Sequence, residues 1–159
     1  MSMKLSIKLF LISIAFINAG FASFAQDSVI TKVPKFKPPV VKSYLGADTN
    51  GAAVTKDEAS QLIALPLKIT DEKKNIYAID SYHFLYKKKG MIQDEETGKK
   101  SVTFTNLADL FKTTPLPKVW VDNIKDGFQK DDELYFFDII VKDNKNRKFF
   151  APDLKLTIQ

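Results

Sequence analysis

The stretch from Glu133 to Lys142 constrains the fold of this chain more than any other. It reads Glu-Leu-Tyr-Phe-Phe-Asp-Ile-Ile-Val-Lys, with aromatic or aliphatic side chains at most positions. Such residues favour strands, and apolar side chains on both faces are typical of a strand inside a β protein. Strict alternation divides these side chains between one face (Leu134, Phe136, Ile140) and the other (Tyr135, Phe137, Ile139, Val141). The sequence therefore predicts a central strand that is covered on both faces.

A hairpin is predicted to follow this strand. Asp143 to Asn146 is a polar run of the kind that forms tight turns, and Lys148 to Phe150 begins the return strand. Leu154, Leu156 and Ile158 then alternate with polar residues. That alternation predicts a strand with one dry and one wet face.

Further strands are predicted upstream. Residues 76–87 are apolar on both faces, residues 90–100 form an exposed hairpin loop, and 101–105 form a short strand. A first strand is predicted through residues 40–44, and the residues from Gly46 to Gly51 are of types that form turns. Together these segments predict a mainly β fold, namely a small antiparallel immunoglobulin-like β-sandwich with one to three short helices at its edges.

Three helical segments are predicted. Thr55 and Glu58 have the spacing of a capping box, in which each side chain bonds the other residue's amide. That helix should end near Ala64, because Pro66 disfavours helix at the residue before it. Residues 106–111 fit a helical turn with Leu107, Leu110 and Phe111 pointing inward, and residues 118–129 carry a helical apolar stripe.

The first residues have the layout of a secretory signal peptide. Lys4 and Lys8 precede an apolar run from Leu9 to Ala19, and Ser23-Phe24-Ala25 supplies small residues for cleavage after Ala25. A retained membrane anchor is the alternative. The predicted organisation is a signal peptide at 1–25, an extended Pro/Lys-rich linker at 26–39 and a β domain at 40–159. The predicted location is periplasmic or secreted.

Composition removes several kinds of chemistry. The chain has no Cys, which excludes disulfides, thiol catalysis and Cys-based metal sites, and it has one His, His83. His83 lies in a strand without a motif-placed nucleophile, so a packed or edge histidine is the preferred interpretation. The acidic clusters at 94–96 and 131–133 lack calcium-loop spacing and are interpreted as solvated turns. The sequence therefore predicts no catalytic, cofactor-binding or metal-binding residues, and no cofactor.

Charge gives no sign of a nucleic-acid partner. The formal net charge is +5, and loss of Lys4 and Lys8 with the signal peptide reduces it to +3. The clustered lysines at 87–89 are interpreted as solvated lysines at a strand end, which is a common way to blunt a strand. Nucleic-acid binding would need a basic stripe or face.

Several segments resemble the gliding-motility protein family GldM. They are residues 131–142 (Asp-Asp-Glu-Leu-Tyr-Phe-Phe-Asp-Ile-Ile-Val-Lys), 147–149, 154–158, the Ile-Asp-Ser-Tyr-His-Phe run at 79–84 and Val-Thr-Lys-Asp-Glu-Ala at 54–59. The resemblance covers roughly residues 40–159 and is to the family's last periplasmic domain. The chain departs from the family at Lys130, where a glycine is usual, and at the 143–146 turn, which is glycine-rich in the family.

The resemblance implies a free-standing exported copy of that domain. GldM belongs to the type IX secretion and gliding machinery of Bacteroidetes, where this domain meets an outer-membrane-associated lipoprotein ring. It has no catalytic residues to transfer, and the family's membrane helix and stacked domains are not matched in this chain.

The leading hypothesis is a non-catalytic exported interaction module that binds an envelope protein through a surface patch or strand edge. The 90–100 loop and the final strand are its exposed candidates. A secreted sugar- or peptide-binding module is the alternative, with Trp120, Tyr135, Phe137 and Phe150 as candidate surface aromatics. A hydrolase with an unrecognised carboxylate pair remains a third hypothesis.

Overall fold

The computed structural model describes residues 35–159. The predicted signal peptide and most of the predicted linker lie outside the described residues. The elements in chain order are β1 Val41–Leu45, β2 Ala52–Val54, α1 Lys56–Leu62, β3 Leu67–Asp71, β4 Ile76–Gln93, β5 Lys100–Phe111, α2 Lys118–Ile124, a 3-10 turn Lys125–Gly127, β6 Glu133–Lys142, β7 Lys148–Phe150 and β8 Leu154–Ile158. The prediction of a mainly β fold is confirmed.

The strands are hydrogen-bonded into one curled mixed sheet. Its main path runs β1-β3-β4-β6-β8-β2, with β5 paired to β4 and β7 paired to β6. The immunoglobulin-like arrangement of two antiparallel sheets is not confirmed, since the hydrogen bonding follows a single path. One pair also departs from the antiparallel prediction: β2 runs parallel to β8, with Ala52 opposite Leu156.

The core lies on the face of this sheet that packs against the two helices, and we call the opposite face the convex face. Tyr82 and Phe84 of β4 pack against Phe136 of β6 with tilted rings whose centroids are 5.8 and 4.9 Å apart. On β8, Leu154, Leu156 and Ile158 are fully buried while the residues between them are half-exposed, as alternation predicts. The predicted final hairpin is confirmed, because β6 pairs antiparallel with both β7 and β8.

The short local signals are also confirmed. The Thr55 side chain accepts a hydrogen bond from the Glu58 amide, and the Glu58 carboxylate accepts one from the Thr55 amide at 2.8 Å. In the turn after β6, one carboxylate oxygen of Asp143 accepts hydrogen bonds from the amides of Lys145 and Arg147. Both motifs join residues within four positions, so the sequence alone specifies them.

The predicted alternation of β6 is wrong beyond Phe137. Asp138 has a φ of +48°, and the register with β4 shifts on either side of Ser81. These irregularities form a β-bulge. Because of it, Ile139 and Val141 are buried on the same side as Leu134 and Phe136, and Ile140 is not. The opposite face is half-exposed, so the strand is covered fully on one face only.

The predicted helical turn at 106–111 is also wrong. These residues continue β5, which pairs with β4 as far as Phe111 opposite Tyr82. The helical spacing of Leu107, Leu110 and Phe111 is overridden because β4 offers a continuous backbone ladder. Only Phe111 is buried.

The predicted helix at 118–129 is shorter than expected. It is α-helical to Ile124 and becomes a 3-10 turn to Gly127, and Phe128 leaves it in an extended conformation. Phe128 remains buried against Tyr86.

Part of the predicted linker packs on the β domain. Phe36 contacts the ring of Phe149 at 6.2 Å between centroids, and the Arg147 guanidinium lies 4.0 Å from the Phe36 ring centre. A guanidinium over an aromatic face is a favourable cation–π contact. At least Phe36 of the predicted linker thus contributes to the packing of the β domain.

Candidate interaction surface

A two-stranded arm extends from the sheet. β6 pairs with β4 only as far as Lys87 opposite Glu133, whereas β5 continues beside β4 to Gln93 opposite Lys100. Residues 88–105 therefore form a ribbon of β4 and β5 alone, and we call this segment the arm. At about 3.4 Å per residue it reaches about 20 Å past the end of β6.

The arm carries exposed apolar side chains on both faces. Met91 is 71% exposed and Ile92 is 61% exposed on β4, and Val102 and Phe104 are exposed on β5. Met91 lies opposite Val102 on one face, and Ile92 lies opposite Ser101 on the other. An isolated two-stranded ribbon is marginally stable in water, so apolar groups held out on one are a sign of a partner surface.

The outer edge of β5 is open along its length. Within residues 35–159 it pairs only with β4, and all of its residues except Thr103 and Phe111 are exposed. No charged residue or proline occurs from Ser101 to Ala108. Soluble proteins usually protect edge strands with charges, prolines or short length, and between Lys100 and Asp109 this edge uses none of these.

Charge is concentrated at the tip of the arm. In the turn, one Asp94 carboxylate oxygen accepts hydrogen bonds from the amides of Glu96 and Thr97 and from the Thr97 hydroxyl. These bonds hold the pKa of Asp94 below its ordinary value. Gly98 takes a φ of +66°, which closes the hairpin. The predicted 90–100 loop is thus a tight turn at 94–99 between longer strands.

A buried carboxylate fixes the base of the arm. Asp132 is fully buried and accepts hydrogen bonds from the Tyr86 hydroxyl at 2.7 Å and from the amides of Lys89 and Gln129 at 2.8 Å each. Burial raises the pKa of Tyr86, and its bond to Asp132 raises it further. The hydroxyl therefore stays protonated as a donor. Asp131 beside it pairs with the Lys89 ammonium at 2.6 Å.

The convex face of the sheet carries a row of charges at the base of the arm. The Glu133 carboxylate lies 3.6 Å from the Lys87 ammonium and 3.0 Å from that of Lys155. Lys87 also lies 4.3 Å from the ring centre of Phe104 on β5. The predicted position of lysines 87–89 at a strand end is wrong, since β4 continues to Gln93.

The interpretation of residues 131–133 as a solvated turn is wrong for Asp132, which is fully buried, and the three carboxylates of this cluster have separate roles. Asp131 pairs with Lys89 at the surface, Asp132 is buried, and Glu133 lies on the convex face. Among residues 35–159, no three His, Asp or Glu side chains are grouped closely enough to hold a metal ion. Of the described helices, none has the length and apolar character needed to cross a membrane.

His83 is partly exposed on the convex face of β4. Its ring stacks on Phe137 with centroids 5.1 Å apart, and its Nδ1 lies 3.6 Å from the Asp138 carboxylate. That distance is too long for a hydrogen bond, and Nδ1 has no other partner in the described residues. Of the packed or edge histidine that the sequence predicts, the packed position is the one observed, because β4 is paired with both β5 and β6 at His83.

The candidate surface aromatics do not form one platform. Trp120 is half-buried against Phe84 and Phe111, and Phe150 is exposed on β7. Tyr135 and Phe137 stack on each other at 5.0 Å with nearly parallel rings. The Tyr135 hydroxyl bonds the Asp153 carboxylate, and this bond with burial raises the pKa of Tyr135 to about 12.

The final strand is not the open edge that the sequence predicts. β8 lies between β6 and β2 and is paired on both sides. The exposed apolar residues of the arm were not singled out in the sequence. The signal for them is the placement of Met91-Ile92 and Val102 on both sides of the polar turn.

Comparison with protein-family models and with curated proteins finds no match to this chain. The arm and the open edge of β5 are therefore interpreted from their geometry alone.

Proposed function

We propose that this chain is a non-catalytic, exported protein-interaction module that binds another envelope protein through the arm. The observation that carries the proposal is a ribbon that exposes Met91, Ile92 and Val102 away from the core. A partner that covers these side chains gains the free energy of removing apolar surface from water. The tip charges on the 94–99 turn keep the free arm soluble.

The resemblance to the GldM family indicates which class of envelope protein to propose as the partner. In that family the corresponding domain meets an outer-membrane-associated lipoprotein. We accordingly propose a lipoprotein of the type IX secretion or gliding machinery as the class of partner, and the periplasm as the location.

A sugar-binding role is less well supported. Flat carbohydrate rings stack on open aromatic faces, but Tyr135 and Phe137 turn their faces toward each other. Trp120 is partly covered by Phe84 and Phe111. The remaining candidate, Phe150, is exposed on β7 but forms no aromatic pair with the other three, so the four rings do not present one stacking surface.

Photo-crosslinking tests the proposal. A photoreactive amino acid at position 92 should form a covalent adduct with one envelope protein that mass spectrometry can identify. The matched control is position 119, because Val119 on α2 is 63% exposed and far from the arm in sequence.

The double substitution Met91→Ser with Ile92→Ser should abolish capture of that protein, whereas Val119→Ser should leave it intact. If capture by the double variant equals that of the parent, the arm is not the binding surface. Adducts of equal yield from positions 92 and 119 would also contradict the proposal.

A further inference from the structure

The part of β5 nearest the rest of the sheet also has an outer edge that no other strand pairs with in the described residues. We call residues Thr103–Phe111 the edge segment. In it, Phe104 is 49% exposed, Leu107 is 42% exposed and Leu110 is 48% exposed. Phe104 and Leu110 project from the convex face, and Leu107 projects from the other, since it lies opposite Tyr86.

Two hydrogen bonds define which backbone groups of the edge segment face outward. The Lys89 amide donates to Asp132, so Lys89 and Phe104 are not a hydrogen-bonded pair. The Leu110 amide donates to the Asp109 side chain at 2.7 Å, so it is not used by β4 either. Because such pairs alternate along an antiparallel ladder, the amides and carbonyls of residues 104, 106, 108 and 110 point away from β4.

We propose that the edge segment of a second copy of this chain pairs antiparallel with this one, about a two-fold axis at Leu107. A two-fold axis normal to the sheet keeps the faces of both copies aligned. Phe104 then lies opposite Leu110 of the second copy, and Leu107 lies opposite its own equivalent. Each of the three exposed apolar side chains thus meets an apolar side chain.

The charges support this register. Asp109 lies opposite Thr105 of the second copy, so no like charges face each other within the paired stretch. The neighbouring register, centred on Asn106, sets Lys100 opposite Lys112 of the second copy and leaves Leu107 opposite Thr105. Like charges directly across a ladder are destabilising, which favours the register centred on Leu107.

The edge segment itself indicates that its partner strand is a second copy of this chain. Phe104 and Leu110 lie three residues on either side of Leu107, so two antiparallel copies place the apolar residues of one opposite those of the other. The pairing does not use Met91, Ile92 or Val102, so the inference goes beyond the proposed envelope partner and does not depend on it. Nine residues a side make a small interface, and we expect the dimer to dissociate on dilution.

Cysteine crosslinking tests the axis directly. The chain has no cysteine, so Leu107→Cys introduces a single thiol. Residue 107 faces its equivalent in a non-hydrogen-bonded pair, where Cα atoms lie about 4.5 Å apart, within the range for a disulfide. We expect mild oxidation of the purified protein to give a disulfide-linked dimer of Leu107→Cys, and none of the control Val119→Cys.

A charge pair at position 105 gives a second test that does not depend on disulfide formation. Thr105→Glu places a carboxylate opposite Asp109 in both halves of the dimer and should raise its dissociation constant about tenfold. Thr105→Lys should not weaken the dimer. Sedimentation velocity over a dilution series measures both.

If these substitutions acted only on the stability of the single chain, Thr105→Lys would be the more harmful of the two. Lys88 on β4 lies opposite Thr105, so Glu stabilises the arm and Lys does not. A dimer that is weakened equally by Glu and Lys, or only by Lys, contradicts the proposal. So does a parent that stays monomeric at every concentration, or a purified Leu107→Cys protein that forms no disulfide-linked dimer on oxidation.

Discussion

Asp132 links the arm to the body of the protein. Its carboxylate is fully buried, and it accepts hydrogen bonds from the amide of Lys89 at the base of the arm and from the amide of Gln129, which precedes β6. The Tyr86 hydroxyl completes the set. A buried carboxylate with three donors has replaced its lost water contacts, so the cost of its burial is offset only while all three partners remain.

We expect Asp132→Ala to lower the free energy of unfolding by about 3 kcal/mol, because it leaves the buried Tyr86 hydroxyl and two partly buried amides without an acceptor. Tyr86→Phe removes one donor and should cost about 1 kcal/mol. Urea unfolding followed by fluorescence measures both. If Asp132→Ala lowered the free energy of unfolding by less than Tyr86→Phe does, water would have to take the place of the carboxylate.

Asp80 gives the protein an acid-sensitive contact. It pairs with the ammonium groups of Lys142 and Lys148, and these hydrogen bonds hold its pKa below the ordinary value of 3.8. A carboxyl whose pKa is lowered by folding stabilises the protein above its unfolded pKa. That stabilisation is lost as the pH falls through the folded pKa.

The difference in urea midpoint between the parent and Asp80→Asn should therefore be constant above about pH 5 and should shrink as the pH falls below the ordinary pKa. Lys37→Gln, on a residue without a carboxylate partner among the described residues, serves as the control. A difference that persists unchanged to the lowest pH would contradict the assignment.

At the scale of elements, the β6 bulge decides which side chains enter the core. Asp138 adopts a left-handed conformation that β-branched residues rarely tolerate, and the register shift there places Ile139 and Val141 inward. The bulge also explains why alternation failed to predict the two faces of this strand.

We expect Asp138→Val to lower the free energy of unfolding by about 1–2 kcal/mol, because a β-branched residue is strained at this positive φ. Asp138→Gly removes the same carboxylate without the strain and should be neutral or stabilising. If both substitutions lowered the free energy of unfolding equally, the cause would be the lost carboxylate and not backbone strain. Thermal unfolding of the three proteins measures the difference.

Elements with local signals were predictable and those with distant partners were not. The Thr55 cap, the Asp143 turn and the alternation of β8 each depend on residues a few positions apart. The extension of β5 through Leu107 and Leu110 depends on β4, which the local helical spacing cannot reveal. The hairpin at 90–100 was predicted, but the exposure of its apolar residues depends on β6 beginning only at Glu133, opposite Lys87.

At the scale of the whole molecule, the distal arm and the core are separable. The buried side chains of the core do not include any from residues 91–102. We expect replacement of residues 91–102 by Asn-Gly to leave the free energy of unfolding within about 1 kcal/mol of the parent, because such surface segments contribute little. Asn-Gly is the preferred two-residue hairpin turn, and Gly90 and Thr103 already lie opposite each other.

Urea unfolding of this shortened protein is the measurement, and the same protein should lose capture of the envelope partner. A drop of several kcal/mol would mean that the arm supports the body. Retained capture by a stably folded shortened protein would place the partner elsewhere.

The parallel pairing of β2 with β8 has a consequence for synthesis. A ribosome makes β2 long before β8, yet β8 is the only strand beside it in the described chain, and the Val54 carbonyl accepts a hydrogen bond from the Gln159 amide. The sheet cannot close until residues 154–158 have left the exit tunnel. The nascent polypeptide is therefore expected to keep the edge of β2 unpaired, and open to chaperones, throughout the synthesis of residues 55–153.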